Sequence, residues 1–265
     1  MEQSSLNRSL AGQVAVVTGS TQGIGAGIAR KLAEQGARVV VHGLEIQKAQ
    51  GEKLLEAIQA MGSEALLVVG DLKDEAHCRD VIKRAVERFG RLDILVNNAG
   101  VVHRGNIENT SLALWDEIFA TNLRAPFILC QEAVKHMQEQ GSGCIINIGS
   151  VNAYIGERKL LPYSASKGGL TTFTRNLANY LTKYRIRVNQ INPGWVLTEG
   201  EHYVESVVEG KGENWLEDAL KTRPFGRMLL PEDIARGALF FASNELISGA
   251  VLDYEQLPVG APRDL

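Results

Sequence analysis

The chain has 265 residues, a formal charge of −3 at pH 7 and 45% hydrophobic residues, which suits one large folded domain with a substantial core and excludes a disordered segment. Acids and bases are interspersed, leaving no basic stripe for nucleic acid or an anionic membrane, so neither is expected as a partner. Cys78, Cys130 and Cys144 are odd in number, far apart and set in apolar segments, a pattern of reduced thiols in a cytoplasmic protein rather than of a disulfide or metal framework, and no metal site is expected.

The opening stretch, Met1 to Ser9, is polar with no apolar signal region, and no later run approaches the roughly 18 uninterrupted apolar residues of a membrane span. Residues 14–17, 38–41, 65–69, 93–96, 144–148 and 187–191 are short, apolar and rich in β-branched side chains, and read as strands. Between them run apolar stripes at helical spacing: Ile24, Ile28 and Leu32; Leu54, Ile58 and Met61; Cys78, Ile82, Ala85 and Phe89. A fourth stripe, Leu170, Phe173, Leu177 and Leu181, belongs to a helix beginning near Tyr163, where Pro162 leaves no amide unpaired. Strand and helix in alternation give an α/β fold, a doubly wound parallel sheet with helices on both faces, as a single domain over residues 10–257. Residues 199–222 are polar, carry Gly200, Gly210 and Gly212 and hold only isolated apolar groups such as Tyr203 and Trp215. So long a stretch of weak structure inside a compact domain reads as a substrate lid.

Two spacings carry chemistry. The run Thr18-Gly19-Ser20-Thr21-Gln22-Gly23-Ile24-Gly25 falls where the first strand turns into the first helix; glycines there let the backbone approach a pyrophosphate, whose charge meets the unpaired amides of the helix. No Gly-Lys-Ser/Thr follows, which excludes a nucleoside-triphosphate loop. Tyr163 and Lys167 stand one helical turn apart and project from the same face. A free tyrosine titrates near 10, and a cation alongside favours the phenolate, so the pair suits proton transfer near neutrality.

Together with Asn97-Asn98-Ala99-Gly100 ending the fourth strand, Ser150 after the fifth and Pro193-Gly194 after the sixth, these motifs resemble the short-chain dehydrogenase/reductase family from about Leu10 to about Leu252. The resemblance implies a Rossmann fold, a homo-oligomer (tetramer or dimer), and hydride transfer between a nicotinamide cofactor and a secondary alcohol or ketone. It implies Tyr163 as general acid/base, Lys167 as the group that tunes it and holds the nicotinamide ribose, Ser150 as the hydroxyl that orients the substrate oxygen, and Asn122 as the helix-kinking residue of a proton relay. For the cofactor it implies Gly19, Thr21, Gln22, Gly23, Ile24 and Gly25 at the pyrophosphate, Asp71 and Leu72 at the adenine, and Asn98, Ala99 and Gly100 along the adenosine ribose. Tyr163, Lys167, Pro193, Gly194, Val196 and Thr198 would lie at the nicotinamide.

Two departures qualify that pattern. An NAD-binding fold commonly places an acid at the end of the second strand, about 20 residues past the glycines, where this chain has His42-Gly43-Leu44-Glu45. No arginine stands there to hold a 2′-phosphate either, so NAD is expected ahead of NADP, which stays possible. The chain also has Glu255-Gln256-Leu257 where relatives commonly have Asp-Gly-Gly, a stretch that packs at subunit interfaces. For substrate, Ser150, Asn152, Tyr163 and Trp195 are the expected contacts, with Tyr154, His202 and Trp215 as further candidates and His103 and Arg104 as a solvated loop. Asn152 and Leu160 stand where hydroxybutyrate dehydrogenases carry a His and a Lys for a carboxylate, which disfavours a hydroxy acid; polar groups near the pocket are compatible with a sugar, polyol or cyclic alcohol. An epimerase or dehydratase using the same cofactor, or a dinucleotide-binding protein without turnover, is the alternative.

Overall fold

A computed structural model describes residues 8–258; the polar N-terminal stretch lies mostly outside them. Seven strands, β1 (Val14–Val17), β2 (Arg38–Gly43), β3 (Ala65–Val69), β4 (Ile94–Asn97), β5 (Gly143–Ile148), β6 (Ile186–Pro193) and β7 (Val251–Tyr254), form one sheet in the order β3-β2-β1-β4-β5-β6-β7, with every pair parallel. The six strands expected from the sequence are all present, within one or two residues at each end. Alternate residues of one strand serve opposite faces: Ala15 and Val17 join one core, Val14 and Val16 the other.

The first core packs under α1 (Gly23–Glu34), α2 (Lys48–Ala60) and α9 (Pro231–Ser243), through Ile28, Leu32, Ile58 and Phe241. The opposite core packs under α3 (Glu75–Phe89), α5 (Ala125–Gln140) and α6 (Leu161–Leu181), through Ile82, Leu129, Met137 and Leu181. Each such side chain contributes on the order of 1.5–3 kcal/mol by leaving water. Three free cysteines, Cys78, Cys130 and Cys144, are buried in these cores. Burial pushes Cys130 up to about 12 and Cys144 to about 11, leaving them apolar fillers.

After β3 the chain crosses to the far side of β1 before forming β4, so the strand order reverses between β1 and β4. The carboxyl ends of the strands open there into the crevice in which such sheets bind ligands. Residues 199–222 differ from the expected weak structure. They form α7 (Glu199–Tyr203), a π-turn over Val204–Val208 and α8 (Trp215–Lys221), because Thr198 caps the first helix and Trp215 buries itself. Helix α9 carries its own apolar face but had no stripe assigned to it in the sequence reading. Among the described residues no helix is long and apolar enough to cross a membrane.

Candidate active site

The glycine turn joins β1 to α1. Gly19 and Gly23 have φ of +59° and +54°, the left-handed region that glycine tolerates. A Cβ on Gly19 would come within 2.8 Å of the Ala99 Cα, and one on Gly25 would meet the Gly19 carbonyl. Asn98 secures this approach: its Nδ2 donates to the carbonyls of Thr18 (2.9 Å) and Gly19 (3.0 Å), while its own amide and that of Ala99 donate to Thr18 Oγ1 at 3.0 Å. Gln22, at the N-cap of α1, makes no side-chain cap and the first turn carries no acid. The helix amides therefore face the crevice without a protein anion, and a dinucleotide pyrophosphate fits that cradle.

Three residues beneath the adenosine end carried no signal in the sequence reading. The His42 ring is buried; its Nδ1 accepts from the Gly19 amide at 3.3 Å and its Nε2 meets His77 Nε2 at 3.3 Å. Burial pulls His42 down to about 3, so it stays neutral and supplies no cation. Gln47 Oε1 accepts from Leu44 N and Thr21 Oγ1, both at 3.1 Å. A side chain at Gly43 would collide with Thr21, which explains the missing acid. Asp71 lies two residues past the end of β3 rather than closing it, is exposed, and accepts from Lys73 N at 2.9 Å. Leu72 and Val196 turn into the cores, so only their backbones are available to a ligand.

The second half of the crevice is polar. Ser150, just past β5, accepts from Asn152 N at 3.1 Å, which leaves its own proton free, and its hydroxyl opposes the rise that burial imposes on the Tyr163 phenol. The Ser150 amide donates to Asn192 Oδ1 at 3.1 Å, tying this turn to β6. One turn along α6, Lys167 is buried and its Nζ donates to the Ile148 carbonyl at 2.8 Å; burial pulls it down to about 8. Burial raises Tyr163 above its usual value, the Ser150 hydrogen bond opposes this and the charge of Glu201 adds to it. In the protein by itself Lys167 does not lower the phenol as its spacing led us to expect, because its donors point to β5.

A π-turn at Ala120–Arg124 interrupts the path from α4 (Leu112–Phe119) to α5 and turns Asn122 inward. Its Oδ1 accepts from Val101 N at 2.8 Å, and its Nδ2 donates to the Val101 carbonyl (3.0 Å) and Ser166 Oγ (3.2 Å). The amide thus clamps the turn after β4 against α6. A Cβ on Gly100 would stand 3.3 Å from Asn122 Oδ1 and 3.5 Å from Lys167 Nζ, so the three converge.

Over this floor lies the segment after β6. Thr198 Oγ1 accepts from Glu201 N at 3.0 Å, and its methyl faces Gly23 across the crevice. Trp195 Nε1 donates to Glu201 Oε1 at 2.6 Å. His202 Nδ1 accepts from Trp215 Nε1 at 3.0 Å, and Trp215 packs with Ala219 and Met228; these two, candidates for the pocket, hold each other instead. The Tyr154 hydroxyl is engaged by Asn192 Nδ2 at 3.1 Å. Arg104, expected as solvated loop, pairs with Glu205 at 3.2 Å and Glu209 at 2.7 Å, while His103 is exposed. Glu201, Glu205 and Glu209 fall in a stretch whose charge reads as solvated surface, and only the fold shows them turned inward.

A Rossmann-type sheet with a glycine turn at its switch point and a serine–tyrosine–lysine cluster beside it defines a class of dinucleotide-dependent oxidoreductases. A model of the short chain dehydrogenase family matches residues 13–208. An uncharacterized oxidoreductase of Thermotoga maritima is 38% identical over 246 residues, 92% of this chain and 96% of that protein. A 3-oxoacyl-(acyl-carrier-protein) reductase of Chlamydia pneumoniae is 34% identical over 234 residues, 88% of this chain and 91% of that one. The crystal structure of a dehydrogenase/reductase from Sinorhizobium meliloti superposes with a TM-score of 0.83 at 33% identity, covering 94% of this chain and 95% of the other. The chain belongs to the short-chain dehydrogenase/reductase family of oxidoreductases.

Proposed function

We propose that the protein interconverts a secondary alcohol and a ketone, with Tyr163 as the proton-transferring group. The observation that carries this reading is the buried set Ser150, Tyr163 and Lys167, with Lys167 Nζ fixed on the Ile148 carbonyl and beside Gly100, next to the glycine cradle. A nicotinamide dinucleotide bound there supplies the hydride acceptor or donor. Gly19, Thr21, Gln22, Gly23, Ile24 and Gly25 would hold its pyrophosphate, Asn98 to Gly100 with Asp71 its adenosine end, and Pro193, Gly194 and Thr198 its nicotinamide end. Tyr163 moves the proton at the substrate oxygen, and Ser150 donates to that oxygen as charge develops on it. Lys167 would hold the ribose hydroxyls, and its positive charge favours the phenolate of Tyr163. Asn122 acts by position, fixing the Val101 turn.

NAD is the preferred dinucleotide in this reading, because His42 is neutral, Leu44 is apolar and no cation stands where a 2′-phosphate would be. The segment 199–222 acts as the lid. The groove between α5 and α6, where Phe119, Leu123, Phe127 and Phe173 meet, is the proposed contact with a second copy, Phe127 being half exposed; light scattering reads that state. The function itself is tested by following reduced nicotinamide absorbance over a panel of secondary alcohols and ketones with NAD and NADP. Turnover without net absorbance change would turn the reading toward an epimerase or dehydratase, and dinucleotide binding with no turnover toward a non-catalytic role.

A further inference from the structure

The segment that overhangs the crevice after β6 carries a carboxylate that the oxidoreductase chemistry does not require. Glu201 sits in the first turn of α7, its backbone fixed by the Thr198 cap at 3.0 Å. Trp195 Nε1 holds one carboxylate oxygen, Oε1, at 2.6 Å. The second oxygen, Oε2, makes no hydrogen bond among the described residues. It is not sealed in the protein either, since the buried atoms without partners are Arg38 Nε, Asn97 Oδ1 and Ser164 Oγ.

The nearby cations do not neutralise Glu201. Arg104 pairs with Glu205 and Glu209, and Lys211 pairs with Glu205. Those pairs, with Lys159–Glu209 at 3.0 Å, tie the segment to the turn after β4 and to the loop ahead of Tyr163, while Thr198, which caps α7 at Glu201 N, has its methyl against Gly23, so the first turn of α7, with Glu201, overhangs the crevice. Its charge is felt at the Tyr163 phenol, which agrees with that placement.

Resting on the reading of this cleft as an alcohol/ketone site, we propose that Glu201 Oε2 is the second anchor of the substrate, accepting a hydrogen bond from a donor on the carbon skeleton next to the reacting carbinol. The substrate class is then a diol, polyol or amino alcohol. A hydroxy acid is rejected, because its carboxylate would face a like charge in a partly desolvated site. Trp195 is the positioning residue: its indole leaves Oε1 occupied and turns Oε2 to the ligand.

The experiment compares cyclohexanol, the cis- and trans-1,2- and 1,3-cyclohexanediols, 2-aminocyclohexanol and 3-hydroxycyclohexanecarboxylate as substrates. In the unmodified enzyme at least one diol or the amino alcohol should exceed cyclohexanol in kcat/KM by about 10–100-fold, the range of a hydrogen bond to a charged group, with the hydroxy acid below cyclohexanol. A preference for the diols identifies the donor as hydroxyl, and for the amino alcohol as ammonium. Glu201→Gln should shrink the advantage to about 3-fold or less, mainly through KM, and Glu201→Asp should fall between. Ratios within one variant cancel any common effect on Tyr163. As a readout apart from turnover, the preferred diol should perturb tryptophan emission in the enzyme–dinucleotide complex, and that response should weaken in Glu201→Gln. An unmodified enzyme that prefers cyclohexanol or the hydroxy acid, or a Glu201→Gln enzyme that keeps the full ratio, overturns the assignment while leaving the alcohol/ketone reading intact. No turnover of any of these compounds or their ketones removes both.

Discussion

Lys167 Nζ lies 5.7 Å from the centre of the Tyr163 ring and directs its 2.8 Å hydrogen bond to the Ile148 carbonyl rather than to the phenol. The two residues share a helix face, yet the ammonium is fixed on the end of β5. Tyr163→Phe should therefore lower kcat by about 10²–10⁴-fold, the usual contribution of a positioned acid/base, with dinucleotide affinity within about twofold of the parent. Near-parental turnover in that variant would remove Tyr163 from the chemistry. Lys167→Met should weaken both affinity and rate, since one ammonium serves the ribose and the phenol.

Burial holds Lys167 at about 8, against about 10.4 in an unfolded chain. Dinucleotide hydroxyls favour the charged form, so affinity should be flat below about pH 8 and weaken as the pH rises through that value, with proton uptake on binding above it. Stability runs the other way. Between about 8 and 10.4 the unfolded chain binds more protons than the folded one, so the contribution of this group to stability rises with pH across that window. Calorimetric titrations in buffers of different ionisation enthalpy read the first effect, and a difference between the parent and Lys167→Met melts reads the second. An affinity indifferent to pH from 7 to 10 contradicts the linkage.

The adenosine end makes a separate prediction about dinucleotide choice. Leu44 is partly exposed with room around it, so Leu44→Arg should shift the kcat/KM ratio toward NADP by roughly 10-fold or more, as a guanidinium meets a 2′-phosphate. Gly43→Asp should not improve use of NAD, because the added Cβ lies 2.8 Å from Thr21 Oγ1 and displaces the Gln47 contact. Steady-state kinetics with both dinucleotides check this, and a parent enzyme already favouring NADP tenfold would contradict the reading.

Ion pairs hold the segment 199–222 at its far edge. Arg104 reaches Glu205, which is buried, and Glu209. Arg104→Ala leaves Glu205 with Lys211 alone, so hydrogen exchange over residues 199–212 should quicken and KM should rise about 3–30-fold, while dinucleotide affinity holds. Exchange in β1 serves as the internal reference. Unchanged exchange together with unchanged KM would make the segment a fixed part of the domain.

The sheet was legible in the sequence because buried parallel strands are short β-branched runs, and residues 14–17 and 65–69 show it without competition from polar groups. The candidate cluster was legible because Tyr163 and Lys167 lie within one helical turn and Ser150 falls at a strand end. Glu201 was not, since the turn after β6 that brings Trp195 Nε1 onto it has no period of its own, and Arg104 was not, since Glu205 lies 101 positions on, across the fold. The same holds for His42 and His77, 35 positions apart, whose rings meet only because the first turn of α3 lies beside the end of β2. The polar residues 199–222 concealed three helical turns for a different reason. Their apolar face is shared between α8 and residues 195, 197 and 228, so no local period reveals it.

Asp233 offers a test of what fixes α9 against the first core. It sits in the third position of the helix, buried, where Oδ2 accepts from Leu230 N at 2.9 Å and the two carboxylate oxygens receive the Arg227 guanidinium at 2.5 and 3.0 Å. Arg236 adds a further contact at 3.0 Å. The Arg227 hydrogen bond chiefly holds the Asp233 carboxyl below its usual value, against the opposing effect of burial. The folded pKa is depressed, so the stabilisation is fully present above the unfolded value of about 3.9 and is lost as the pH falls through the folded value. Asp233→Asn keeps the shape, loses the charge and should cost about 1–2 kcal/mol at neutral pH, the size of a capping interaction with one charged partner half in solvent. For a chain of this size that corresponds to a Tm lower by roughly 2–6 °C. The gap between parent and variant should begin to narrow below the unfolded value of about 3.9 and close as the pH falls through the depressed folded value. Thermal melts of the two proteins from pH 7 to pH 3 measure this directly; a gap that persists unchanged at the acid end would mean that packing, and not the ionised carboxylate, anchors the helix.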